Sequence, residues 1–169
     1  VADHNDDQQP PGPQLRPGVR LALDWGQARI GVAACDARAT LAFPVETVDA
    51  RQRPTARIKE LISEYEPIEV LLGLPRNLAG AEALAASQMR ERAAGIAKAI
   101  GVPLRLVDER MTTATAHRQL ADAGKSSRQR RKIVDQAAAV AILEFALAAE
   151  AATGEPPGEV VEQKEPGAS

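Results

Sequence analysis

The sequence predicts an α/β fold: a mixed sheet of five strands flanked by helices, forming one domain over residues 18–150. Three observations carry this. Three short apolar runs follow one another early in the chain, and after them strand-like and helix-like stretches alternate. Consecutive strands imply an antiparallel meander, and alternation implies parallel strands joined by helical crossovers. With 169 residues and a hydrophobic fraction of 44%, the chain can also bury a core of ordinary size.

Each element has its own signal. Val19–Leu23 and Ile30–Ala34 are apolar runs on either side of Gly26, a tight strand–turn–strand. Val45–Val48, after Pro44, is the third strand. Pro54 opens a helix through Tyr65, with Ile58, Leu61 and Ile62 at helical spacing, and Pro67 ends it. Ile68–Leu72 is a buried strand. Gly80–Ile100 is alanine-rich and helical, stopped by Gly101 and Pro103. Leu104–Val107 is the fifth strand. Thr112 or Thr113 caps a short helix that Gly124 ends, and a last helix runs from about Val134 to Ala149. That helix is apolar nearly all round its middle and should be buried.

Residues 1–17 and 151–169 read as disordered acidic, proline-rich tails whose burial cannot repay ordering entropy. Without them the chain changes sign: the whole carries a net charge of −2, whereas 18–150 is basic by about three charges. Aromatic residues make up 2%, against a module that reads single-stranded bases by stacking. The single cysteine, Cys35, excludes an internal disulfide and a cysteine zinc site. It reads as a small buried hydrophobe, the alternative being a link between two chains. The longest strictly apolar run, Ala137–Leu143, is too short to span a bilayer, and the acidic N-terminus is unlike a signal peptide. The expectation is a soluble, cytoplasmic protein.

Asp24 is the anomaly. It ends an apolar strand, where an ionised carboxylate costs several kcal/mol unless a cation or hydrogen bonds compensate it. Asp108-Glu109 ends the fifth strand and Asp135 begins the last helix. Ligand sites in open sheets form beyond the strand ends where the winding changes, so carboxylates from these three places can converge. Oxygen donors without His or Cys suit Mg²⁺ or Mn²⁺, and a pair of such ions hydrolyses phosphodiesters. Each residue also has a plainer use. Asp24 can bond its own turn, and Asp135 can favour a helix start. Asp108 and Glu109 point to opposite faces, so one can be a ligand while the other caps the Thr112 region or pairs with Arg110; spacing does not choose between them.

Four stretches then occur in order: Asp24-Trp-Gly-Gln-Ala-Arg-Ile-Gly-Val-Ala, Gly73-Leu-Pro-Arg-Asn-Leu-Ala-Gly80, Val107-Asp-Glu-Arg-Met-Thr-Thr113 and Asp135-Gln-Ala-Ala-Ala-Val-Ala-Ile-Leu143. Together they resemble the YqgF/RuvX family of bacterial RNase H-like nucleases, described as Holliday junction resolvases and as pre-16S rRNA processing nucleases. The resemblance covers residues 18–150. It implies an RNase H-like fold with sheet order 3-2-1-4-5, strand 2 antiparallel, and a catalytic, metal-holding set of Asp24, Glu109 and Asp135 with Mg²⁺ or Mn²⁺, two ions in the full form. It selects Glu109 over Asp108. One departure is Ala28, where the family often has a basic residue.

The expected activity is that of a metal-dependent endonuclease, first a Holliday junction resolvase, alternatively a nuclease for the 5′ end of pre-16S rRNA. A non-catalytic nucleic-acid adaptor ranks below both. An actin-like ATP-binding protein ranks lowest, because one domain is present where two are needed. Lys125, Arg128, Arg130, Arg131 and Lys132 form a basic run expected as a loop closing on phosphate. Arg29, Arg76 and Arg110, inside the shared stretches, are further candidate phosphate grips; Asn77 shapes its loop. His4 and His117 make poor general bases. Cutting two opposed strands would favour a symmetric homodimer.

Overall fold

β1 (Arg20–Trp25) and β2 (Arg29–Cys35) form a hairpin closed by Gly26, whose N–H donates to the Arg29 carbonyl at 2.9 Å. The computed structural model describes residues 15–74, 80–113 and 128–161. After β2 come β3 (Ala42–Asp49), α1 (Pro54–Tyr65), β4 (Glu69–Leu74), α2 (Gly80–Ile100), β5 (Leu104–Asp108) and a 3₁₀ turn (Glu109–Met111); α3 (Arg128–Thr153) and β6 (Glu159–Val160) complete it. The sheet order is β3-β2-β1-β4-β5-β6. β1 runs antiparallel to β2 and parallel to β4, β4 is parallel to β5, and β2–β3 and β5–β6 are antiparallel. This is the expected mixed sheet with the expected order of its first five strands.

Strand alternation divides the core in two. Leu21 and Leu23 of β1, Val70 and Leu72 of β4 and Leu104 and Leu106 of β5 point to one face, with Ile58 and Leu61 of α1 and Ala93, Ile96 and Ala97 of α2. Ala22, Ala33, Leu71 and Val107 point to the other, against Ala138, Ala139, Ile142, Leu143 and Ala146 of α3. The first face is built of branched side chains. The second is rich in alanine, so α3 lies close over β1, β2 and β3.

A buried ion network ties the far end of α3 to the sheet. Glu150, 2% exposed, pairs with Arg20 at 2.8 Å and with Arg16. Arg16 also reaches Glu69 at 3.0 Å, and Arg105 meets the same carboxylate at 3.4 Å. Burial pushes the Glu150 carboxyl up, but the Arg16 hydrogen bond and the charges of Arg20 and Arg16 outweigh it, and the net result lies below its ordinary value.

Three expectations change. The sheet has six strands rather than five, and the segment after residue 150, read as a tail, is ordered through residue 161. α3 continues to Thr153; Gly154, at φ 77°, ends it by donating to the Glu150 carbonyl, and the chain turns back along β5. Val161 donates to Leu104 at 2.9 Å and Glu159 pairs with Arg90. Pairing through the backbone covers an otherwise open edge and makes little demand on composition, which is why a Pro- and Glu-rich stretch concealed it. The basic run is also not a loop from Arg128 onward, because Arg128–Lys132 form the start of α3. Arg, Gln and Lys are good helix formers. Lys125 and the short helix expected before Gly124 lie outside the described residues. Cys35 is buried, with its thiol against the Arg20 amide at 3.2 Å, as a core residue would be. Among the described residues no helix is long and apolar enough to cross a membrane.

Candidate active site

One row across the sheet organises the site. Asp24 on β1 pairs in register with Gly31 on β2. Leu23 opposite Leu72 puts Asp24 level with Gly73 on β4, and Gly73 pairs with Val107 on β5. By alternation all four belong to the face that α3 covers. Asp24 is therefore flanked on both sides by positions without a side chain.

Each glycine admits one neighbour. A Cβ on Gly31 would stand 1.9 Å from the carbonyl oxygen of Asp135, so the start of α3 rests directly on β2 there. A Cβ on Gly73 would stand 2.5 Å from Glu109 Oε1 and 2.7 Å from Ile142 Cδ1, so the Glu109 carboxylate lies over the strand next to Asp24. Asp24 and Glu109 are each 3% exposed. The row thus brings the backbone of Asp135 to one side of Asp24 and the Glu109 carboxylate to the other.

The same alternation separates the two neighbours that spacing left open. Glu109 goes to the α3 face. Asp108 caps the 3₁₀ turn, accepting from the Arg110 N–H at 2.9 Å, and pairs with the Arg110 guanidinium at 2.8 Å. That hydrogen bond and the Asp108 charge raise the Arg110 pKa above its ordinary value.

Arg29, expected as a phosphate grip, binds a carboxylate: its Nε donates to Asp135 Oδ2 at 2.6 Å. Among the described residues no three His, Cys, Asp or Glu side chains stand as a ready metal site, and Asp135 is turned toward Arg29. The donor set nevertheless fits a small hard cation. It is all oxygen, and Gly73 lets the Glu109 carboxylate lie over the strand position level with Asp24. Arg130, Arg131 and Lys132 are exposed on the first turns of α3, where Arg128 also lies. Arg76, Asn77 and His117 lie outside the described residues.

Two anchors were not foreseen from the sequence. Thr47 Oγ1 on β3 donates to the Lys132 carbonyl at 3.0 Å, and Gln136 Nε2 donates to Thr47 Oγ1 at 3.0 Å, fixing the start of α3 to the sheet. A polar residue in a strand opposite a helix start gives no pattern by which sequence could single it out.

Comparison with known proteins adds the lineage. The sequence model of RuvX, described as Holliday junction resolvase, matches residues 18–149. A Streptomyces coelicolor protein named "Putative pre-16S rRNA nuclease" is 53% identical over 160 residues, covering 93% of this chain and 96% of that one. A Cutibacterium acnes protein of the same name is 57% identical over 131 residues, covering 77% and 82%. Among solved structures, T. thermophilus RuvC in complex with Holliday junction substrate aligns with a TM-score of 0.52 and 18% identity, over 83% of this chain and 99% of that chain. At that identity the likeness speaks for the RNase H-like fold.

Proposed function

The chain belongs to the RuvX family, and on that premise we propose that it is a divalent-metal-dependent endonuclease that hydrolyses precursor 16S rRNA. The observation that carries the proposal is the glycine-flanked row, which sets Asp24 level with the Glu109 carboxylate on one side and with the backbone of Asp135 on the other. The substrate is favoured by the name shared by relatives that match this chain nearly end to end.

Asp24, Glu109 and Asp135 would hold Mg²⁺ or Mn²⁺, two ions in the full form. Bound there, such ions supply an activated water and stabilise the leaving oxygen of the phosphodiester. The chain's own residues do the rest. β1 fixes Asp24 in a dry setting, and the Gly73 gap lets Glu109 approach it. Arg29 balances the Asp135 charge and holds that side chain in one orientation. Arg128, Arg130, Arg131 and Lys132 present a basic edge to the phosphate backbone, with Lys125, Arg76 and Arg110 as additional contacts. Such work belongs in the cytoplasm.

Resolution of four-way DNA junctions is the second reading, favoured by the description of the family. It calls for a homodimer with two active sites. The deciding experiment offers a pre-16S rRNA fragment and a four-way junction in parallel, with Mg²⁺ or Mn²⁺, to wild type and Asp24→Asn. Metal-dependent cleavage of the RNA, lost in the variant, is the expected result. Symmetric paired cuts in the junction, with a dimer by sedimentation, would move the substrate to DNA. Binding of both without cleavage would make the protein an adaptor.

A further inference from the structure

Beside the carboxylate row, on the β2–β3 side, lies a cavity of about 130 Å³ lined by Ala28, Arg29, Thr47, Asp49, Arg51 and Lys132, among others. We infer that it is a phosphate subsite, taking a backbone phosphate near the one to be cut; this rests on the nuclease reading above.

Size limits the occupant first. Sites that enclose whole small molecules run to ~300–1,000 Å³, so this cavity suits a single group rather than a nucleoside. Charge limits it next. Three cations, Arg29, Arg51 and Lys132, line the cavity with one carboxylate, Asp49; among the described residues Asp135, behind Arg29, is a further acid in contact. An anion is the occupant this balance favours, and guanidinium forks suit phosphate oxygens in particular.

The cations are also held in place. Asp49 Oδ1 accepts from the Arg51 amide at 2.9 Å and from its Nε at 3.3 Å, setting the direction of that side chain. Thr47 holds the backbone of Lys132. Arg29 is fixed by Asp135, so one side chain joins the cavity to the carboxylate row. Ala28 keeps the space open, while its carbonyl accepts from the Ala50 N–H at 3.0 Å and completes the wall. Arg51 is new to the site. It follows the third strand, outside every stretch that carried the family likeness.

The test uses the full chain without divalent metal, as wild type, Arg51→Ala and Ala28→Leu. Arg51 is 68% exposed, so its loss should leave the fold intact, and amides far from the cavity provide the check. Inorganic phosphate, followed by backbone amide shifts, should move residues 28–29, 49–51 and 132 in wild type and leave them still in both variants. Binding of the pre-16S fragment should weaken several-fold in Arg51→Ala, with the slope of log K against log salt reduced by about one. Ala28→Leu keeps every cation but fills the space, so equal loss there shows that the cavity matters and not merely charge. Still amides in wild type, or an unchanged salt slope in Arg51→Ala, would overturn the subsite. Phosphate that titrates the cavity of a protein that cuts no nucleic acid would sink the nuclease reading and leave the subsite standing.

Discussion

The two ends of β1 bury charge equally deeply and use it in opposite ways. At the N-terminal end Glu69 and Glu150, 3% and 2% exposed, meet Arg16, Arg20 and Arg105. At the C-terminal end Asp24 and Glu109 are each 3% exposed, and Arg29 bonds Asp135 at the start of α3. One cluster brings arginines enough for its acids. The other sets its acids at a strand end, a 3₁₀ turn and a helix start, with Glu109 Oε1 lying over Gly73 and the Asp135 carbonyl over Gly31. The first cluster ties a helix to the sheet; the second places carboxylates beside strand positions that have no side chain.

Substitutions can break or sharpen this contrast, and the largest effect belongs to the acid-rich end. Asp24→Asn should lower metal-dependent cleavage by more than the ~10–100-fold typical of changes around a metal's ligands. A variant that cuts normally would remove Asp24 from the chemistry. At the balanced end Glu150→Gln leaves Arg20 buried without its carboxylate and should cost about 3–5 kcal/mol by urea unfolding. A cost below ~1 kcal/mol would mean the network is dispensable.

Gly31→Ala tests the contact between the two regions. Its Cβ meets the Asp135 carbonyl at 1.9 Å, so α3 must shift; about 1–3 kcal/mol of stability and part of the cleavage rate should be lost together. Gly95→Ala, on α2 with nothing within 4 Å, is the control and should stabilise by up to ~1 kcal/mol. The mildest probe is acid. The Glu150 carboxyl is depressed in the fold, so its contribution is full above its ordinary value near 4.5 and is lost as pH falls through the lower folded value. Melting temperature should therefore drop over that interval, and Glu150→Gln should flatten this part of the profile.

The contrast also separates what the sequence disclosed from what it concealed. α1 and α2 were legible to the residue, because Pro54, Gly80, Gly101 and the spacing of Ile58, Leu61 and Ile62 are local signals. The first five strands were legible for the same reason, within one to three residues at their ends. β6 was not, since two residues pairing through the backbone leave no side-chain pattern. Nor were the carboxylate partners of Arg20 and Arg29, which lie more than a hundred residues away in the chain. Asp24 announced itself as a charge in an apolar strand. Which face Glu109 takes was not legible from spacing; it needed the sheet, which puts Glu109 over Gly73 and Asp108 on the 3₁₀ cap.

α3 passes over both ends of β1, and that gives it the mechanics of a beam. Glu150 clamps it near one end; Asp135 lies fifteen residues earlier, roughly 22 Å along the axis at about 1.5 Å per residue. A tilt of a few degrees about the clamp would carry Asp135 by more than ~1 Å, and a misplacement of about 1 Å can cost ~100-fold in rate. The Gly31 contact and the Thr47 hydrogen bonds act as the second support. If Asp135 takes part in cleavage as proposed, its alignment is set in part by arginines at the far end of α3, and selection for precise cutting would act on residues that never come near the substrate.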